Sequence, residues 1–454
     1  MTEKSEALVL LLEKRRFEHV RAMVAEMNAV DIAELLEDLD DGQLLLAYRL
    51  LPKEMAAEIF SYMAGDTQEK LLGVLTNQEL AAVMDGLYLD DAADLLEEMP
   101  ANVVKRLLQM TSPEDRRRLN QLLKYPDGSA GGVLTTEFVD LKAAMTVAEA
   151  FQYIRECGPD KETIYTCYVI DRNRRLEGVI TVKELLLASG EQLVGDLMEE
   201  HVISAVTTDD QETVAQLFAK YDLMALPVVD SENRLVGIIT VDDVVDILQQ
   251  EATEDMEKMA AITPTEKPYW RVGVWETFKT RFPWLLLLMV SATFTGMIIT
   301  SFEEALSASV ALTAFIPMLM DTGGNTGSQA SVTVVRGLAL GDIRVRDILR
   351  VMFKELRVGV LCGVCLSAAM FAKILLIDRL LLGGPVTVME AVVVCVTLLA
   401  TIVCAKLVGC SLPLIAKKIG FDPAVMAGPF ITTAVDAISL LVYFRMATVL
   451  LHLT

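Results

Sequence analysis

The feature that most constrains this chain is a series of apolar runs in its last third. Phe282–Phe302 contains no charged residue. Ala305–Met320 and Thr322–Val335 are uncharged on either side of Asp321. Val358–Ile377 is interrupted only by Lys373, Val386–Ala416 only by Glu390 and Lys406, and Ala424–Thr454 only by Asp436 and Arg445. A helix needs about 20 apolar residues to cross a bilayer, and hydrocarbon admits only structures that satisfy their own backbone hydrogen bonds. These runs therefore predict five membrane-spanning helices over 282–454.

Charge divides the chain in the same place. From Arg281 onward there are 13 Lys and Arg against 10 Asp and Glu; before it there are 27 against 53. The acidic part is unsuited to nucleic acid, which needs clustered cations, and is suited to attracting cations. Arg336, Arg344, Arg346, Arg350, Lys354 and Arg357 lie in one predicted loop, and Lys417 and Lys418 in another. Glu303, Glu304, Asp378 and Arg379 mark the opposite side. The positive-inside rule then puts the acidic N-terminal part in the cytosol and the C-terminus outside. Met1–Arg16 lacks the cationic start and small-residue cleavage site of a signal peptide, in keeping with that reading. The seven Cys and the three His (His19, His201 and His452) form no disulfide framework or zinc pattern.

The first part is modular. Residues 1–127 read as helices, with apolar positions such as Ile32, Leu35, Leu36 and Leu39 at helical spacing. The stretch beginning at Asp31 returns at Asp91, as in stacked helical hairpins. A turn-rich break, Tyr125-Pro-Asp-Gly-Ser-Ala-Gly-Gly, marks a boundary. A second repeat, strand–turn–strand–helix, places Asp171, Gly178 and Thr181 against Asp230, Gly237 and Thr240. It resembles a tandem cystathionine-β-synthase-type (CBS) pair, an α/β unit placed at 128–252. In such pairs the Gly-x-x-Thr-x-x-Asp stretch, here Gly237 to Asp243, contacts a nucleotide ribose. The resemblance thus implies ATP or another adenine nucleotide near Thr240, whereas the first copy has Glu184 in place of the Asp. Residues 253–281 read as a connecting helix, broken by Pro264 and Pro268, then a membrane-interface segment with Trp270, Trp275 and Phe278.

Two features of the apolar part point to an ion path. Asp436 lies near the middle of its run, where a charged carboxylate is costly without water, a partner or an ion. Gly323-Gly-Asn-Thr-Gly-Ser-Gln329 puts three glycines within five residues. That spacing predicts a broken helix lining a hydrated path with Asn325 and Gln329; close packing of small residues is the alternative. Lys373, Glu390, Lys406 and Arg445 read as side chains snorkelling from helix ends.

These motifs together resemble the MgtE family of Mg2+ transporters. The resemblance rests on Gly-Gly-Asn-x-Gly-x-Gln, on the last run from Asp422-Pro to Asp436, on Glu251-Ala-Thr-Glu-Asp-Met256 and on Ser129-Ala-Gly-Gly132. It extends to the order of parts: helical N domain, CBS pair, connecting helix and five spans. It implies a homodimer in the cell's inner membrane with its pore on the dimer axis, and Asp436 of both subunits facing hydrated Mg2+. Ser328 departs from relatives that carry Asn there. An oxygen-lined path suits Mg2+, which keeps its waters and prefers oxygen ligands; Asp321, Asn325, Gln329 and Asp422 complete the candidate set.

The remaining acidic residues read as a sensor. Asp90, Asp91 and Asp94 in the N domain face the same question as Asp242, Asp243, Asp246, Glu251, Glu254 and Asp255 along the connecting helix: like charges at helical spacing repel unless a cation sits between them. The expectation is passive Mg2+ transport, closed by cytosolic Mg2+ bridging these carboxylates. The alternatives are a coupled divalent-cation carrier and a CBS-type membrane receptor that transports nothing. No enzyme is expected: the Gly-x-Gly-Asp signature of intramembrane aspartyl proteases and the phosphate-binding Gly-x-x-x-x-Gly-Lys-Ser/Thr loop are both missing.

Overall fold

In a computed structural model the chain forms two compact units, Met1–Ile247 and Leu248–Thr454. The structure describes residues 3–265, 269–270, 272–302, 310–381 and 386–451. Pro268, Glu303, Glu304, residues 305–309 at the start of the second predicted span, and His452 lie outside the described residues.

The first unit begins with ten short helices, α1 (Glu3–Glu13) to α10 (Pro113–Leu122), among the described residues. Their starts are written locally. Asp40 accepts from the Gln43 N–H, Thr76 and Glu79 form a capping box, and Ser112 accepts from the Asp115 N–H ahead of Pro113 at the first helical position. The internal repeat is structural: α3 (Ala29–Glu37) buries Ile32, Leu35 and Leu36, and α8 (Leu89–Glu98) buries Leu95 and Leu96. One apolar core runs from Leu8 through Leu122 into Ala130, Leu134, Ala215, Ile239 and Ile247, so the helices and the following α/β region are packed as one body.

The α/β region holds two three-stranded sheets of the same design, β1 (Val139–Leu141), β2 (Thr166–Ile170) and β3 (Leu176–Thr181), then β4 (Ala205–Val206), β5 (Ala225–Val229) and β6 (Leu235–Thr240), with helices α11 (Val147–Cys157), α12 (Val182–Leu187), α13 (Val194–Leu197) and α14 (Gln211–Tyr221) among them. In each, the first strand pairs parallel and the last antiparallel with the middle one. The hairpins carry bulges at Val169/Ile170 and Val228/Val229. Their turns repeat as well: Asp171 accepts from the N–H groups of Asn173 and Arg175, Asp230 from those of Glu232 and Arg234. Arg174 and Asn233 take the left-handed conformation at equivalent places.

The second unit is helical. After the end of α15 (Val241–Met259) come α16 (Val274–Ser301), α17 (Val310–Thr313), α18 (Ile316–Ala339), α19 (Ile348–Lys373), α20 (Val388–Lys418) and α21 (Gly428–Leu451). Among the described residues, four helical stretches are long and apolar enough to cross a membrane: Val274–Ser301, Val345–Leu381, Val388–Lys418 and Ala424–Leu451. The second predicted span is different. Its described part divides at Phe315, and α18, although 24 residues long, carries Asp321, Asn325, Ser328 and Gln329 and falls outside that apolar set. The predicted interface aromatics form a stacked run, with ring centroids 5.1 Å apart for Trp275 and Phe278 and 4.8 Å for Phe278 and Phe282. Lys406 does not snorkel: it is 7% exposed, 3.4 Å from Glu355 of α19, which is 9% exposed. Gly359 makes room for its stem, since a Cβ there would touch Lys406 Cγ at 3.4 Å.

Candidate functional site

The glycine motif does not break its helix. α18 is continuous α-helix from Ile316 to Ala339, which corrects the expectation of an opened backbone. The reason lies in what faces the glycines. A Cβ on Gly323 would lie 2.7 Å from Ser439 Oγ and 3.1 Å from Val435 Cγ1; one on Gly327 would lie 2.9 Å from Ile431 Cγ2; one on Gly324, 3.2 Å from Thr432 Cγ2. Gly327 and Gly409 of α20 meet backbone to backbone. The glycines let α20 and α21 approach closely, as small residues do between membrane helices, and that packing outweighs their weak helix propensity.

The other side of α18 is polar. Asp321, Asn325 and Gln329 follow at four-residue spacing and are all exposed, with Ser328 partly so. Asp436 projects from α21, half-buried, beside the Val435 that abuts Gly323 and Gly327. Thus Asp436, Asp321, Asn325 and Gln329 belong to one helix pair, locked by glycines on one side and lined with oxygens on the other.

Within the first unit, Asp90 and Asp91 open α8 and share a field with Asp242, Asp243, Glu137 and Glu162. Burial, then the charges of Asp91, Asp243 and Glu162, pushes the Asp90 carboxyl well above its ordinary range. Burial and Asp243 push Asp91 up to about 6; burial, Asp242 and Asp243 push Glu162 up to about 7. Asp243 and Glu137 are raised mainly by burial. Asp90 Oδ1 and Glu162 Oε2 are buried without a hydrogen-bond partner, a costly arrangement in a low-dielectric setting. Glu137 accepts from the Leu89 N–H at 3.3 Å, fastening the α/β region to the first turn of α8. Asp94 is exposed, and Asp246, also exposed, adds its charge to Asp243.

Sequence reasoning missed Glu137 and Glu162. They stand apart in the first CBS copy with no motif around them; the one available signal is an acidic residue beside the strand repeat with no counterpart in the second copy. Thr240 is 6% exposed, and its hydroxyl donates to Asp243 Oδ2 at 2.8 Å. The Gly-x-x-Thr-x-x-Asp stretch thereby fixes the start of α15, as Thr181 and Glu184 cap the matching helix of the first copy (Val182–Leu187).

In the second unit, the end of α15 meets the turn before α21. Lys258 Nζ lies 2.5 Å from Glu254 Oε1 and 2.6 Å from Asp422 Oδ2. Burial alone would lower the Lys258 ammonium, but its hydrogen bonds to Asp422 and Glu254 raise it. Asp255 beside them is raised by burial and by Asp422, and Glu251 adds a further charge. Among the described residues, no three Asp, Glu, His or Cys side chains converge closely enough to chelate a bare metal ion.

Comparison with known proteins covers nearly the whole chain. The family model for the MgtE divalent cation transporter matches residues 316–446, the MgtE intracellular N domain 27–128, and the CBS domain 130–191 and 194–250. The magnesium transporter MgtE of Thermus thermophilus is 37% identical over 437 residues, 95% of each chain. That of Bacillus subtilis is 33% identical over 450 residues, 98% of this chain and 97% of its own. Among solved structures, the cytosolic domain of the Mg2+ channel MgtE in complex with ATP matches 54% of this chain and 99% of its own, at 36% identity and a TM-score of 0.51. The soluble part of a magnesium transporter matches 55% and 98%, at 31% identity and a TM-score of 0.52.

Proposed function

The chain belongs to the MgtE family and transports Mg2+ across a membrane, and we propose that the ion passes Asp436 while the acidic clusters along α8 and α15 decide when it passes. The observation that carries this reading is the two-sided α18. Its glycine face is sealed by protein, and its Asp321–Asn325–Gln329 face, next to Asp436, is oxygen-rich and exposed. A second copy of the chain would turn two such faces toward one axis, giving a homodimer whose paired carboxylates and amides grip hydrated Mg2+.

The gate follows from the unpaired carboxylates. Asp90, Asp91, Glu162 and Asp243 repel one another without a counter-ion. Cytosolic Mg2+ among them favours the docked arrangement, and can shift the gate only by its preference for that state. The positive-inside rule supports a cytosolic first unit and Arg344–Arg357 segment, with the C-terminus outside. The ATP bound by the solved cytosolic domain supports an adenine nucleotide at the CBS pair here, with Thr240 serving through Asp243.

The test is growth of a Mg2+-starved, transport-deficient bacterium. The chain should rescue growth, and Asp436→Ala should abolish rescue while the protein still reaches the membrane. Rescue by Asp436→Ala equal to that by the parent chain would overturn the assignment and put the ion's path elsewhere in the chain. Unitary currents from reconstituted protein would separate a channel from a coupled carrier.

A further inference from the structure

The first turns of α19 carry cations that no carboxylate answers among the described residues. Arg350, Lys354 and Arg357 are exposed and fall on one side of the helix at spacings of four and three. None is in an ion pair among the described residues. The guanidinium of Arg357 lies over the Phe353 ring, 4.8 Å from its centroid. A guanidinium stacked on a ring keeps N–H donors for a further partner.

The same side continues downward as apolar surface. Leu361 and Val364 lie in line with the three cations and are 68% and 54% exposed. The opposite side, Glu355, Gly359 and Gly363, is buried against α20. One stripe of one helix thus presents three cations near the start of an apolar span and, a helical turn further along, exposed aliphatic side chains. Water suits only the upper half and a hydrocarbon chain only the lower. A molecule with an anionic phosphate above acyl chains suits both, and guanidinium groups match phosphate oxygens in a bidentate fashion.

We propose that this stripe of α19 is a binding site for an anionic phospholipid, with the phosphate held by Arg350, Lys354 and Arg357 and an acyl chain lying along Leu361 and Val364. The site is separate from the ion path on α18 and α21, and stands or falls independently of Asp436.

Native mass spectrometry of the full chain, purified in detergent and titrated with phosphatidylglycerol or phosphatidylcholine, reads both lipid binding and oligomeric mass. The parent chain should retain phosphatidylglycerol in preference to phosphatidylcholine. The triple variant R350Q/K354Q/R357Q should bind phosphatidylglycerol roughly a hundredfold more weakly, the combined effect of three surface cations. R350K/R357K, which keeps the charges, should retain the preference and also shows that the site tolerates substitution. K417Q/K418Q removes cations from the end of α20 and should leave the preference intact. An equal loss in K417Q/K418Q would reduce the effect to general surface charge. An unchanged preference in the triple variant, or a change of oligomeric mass without a change in bound lipid, would overturn the proposal; the latter would mean that a second copy covers the stripe.

Discussion

Lys258 at the end of α15 is bonded to Asp422, 164 residues later, with Nζ and Oδ2 2.6 Å apart. The contact is one of three that seat this helix end. Met259 packs against Val335, Ala424 and Ala427. Gly428, in the left-handed region at φ +46°, has no Cβ where one would run into the Met259 carbonyl. The ammonium neutralises Glu254 and Asp422 together.

Replacing Lys258 with Met should loosen this seat by about 1 kcal/mol, the usual worth of a partly exposed ion pair. Asp422→Asn should cost less, since Lys258 keeps Glu254, and the double variant should be no worse than Lys258→Met alone, because that change already removes the bond to Asp422. Thermal unfolding of the purified chain in detergent checks this. Fully additive losses would mean that the two residues act separately.

The acidic cluster around α8 should make protons and Mg2+ compete. A carboxyl whose folded pKa is raised holds its proton more tightly folded than unfolded. The stability this confers is complete below the unfolded value, about 4, and is lost as pH rises through about 6 for Asp91 and about 7 for Glu162. Without Mg2+ the chain should therefore become less heat-stable between about pH 5 and 7.5. Added Mg2+ should restore stability most at the upper end and release protons on binding. Calorimetric titration in buffers of differing ionisation enthalpy measures that release; no proton release at pH 6.5 would count against the cluster as a Mg2+ sensor.

Glu162→Gln should separate repulsion from ligation. It removes one charge from the field on Asp90 and Asp91. The variant should melt higher than the parent at pH 7.5 without Mg2+, and gain less when Mg2+ is added. A gain from Mg2+ as large as the parent's would remove Glu162 from the sensor.

The two sides of α18 should fail differently. Gly323→Ala forces a methyl group against Ser439 and Thr401, the latter 3.0 Å away; overpacking of this kind costs about 1–3 kcal/mol. Asn325→Ala touches only the exposed polar side. Gly323→Ala should lower the melting temperature and the yield of folded protein, and Asn325→Ala should keep both while reducing Mg2+ uptake into proteoliposomes.

The sequence made the repeats legible because each copy keeps its turn chemistry: Asp171 and Asp230 hold the same hairpin in the same way. Asp436 stands out in the sequence because a mid-run carboxylate has few reasons to exist. The glycine motif was misread because a glycine's effect depends on its neighbour. Val435, Ile431 and Gly409 turn absent side chains into contact, and they lie some 80 to 110 residues away in sequence. Lys406 was misread for the same reason, since its partner Glu355 is on another helix. Glu137 and Glu162 were invisible because only folding brings them to Asp90 and Asp91.

The two-sidedness of α18 bears on how the chain can vary. A membrane helix ordinarily has a tolerant flank, where one aliphatic residue replaces another at little cost, and a mutational scan shows that flank as a gap every three or four positions. From Asp321 to Gln329 the sheltered glycines leave little room for a side chain, and on the proposed reading the open positions are bound by what they do for the ion. The scan should lose its helical rhythm there and show an almost unbroken block of intolerance, easily mistaken for a loop, in a segment that is helical throughout.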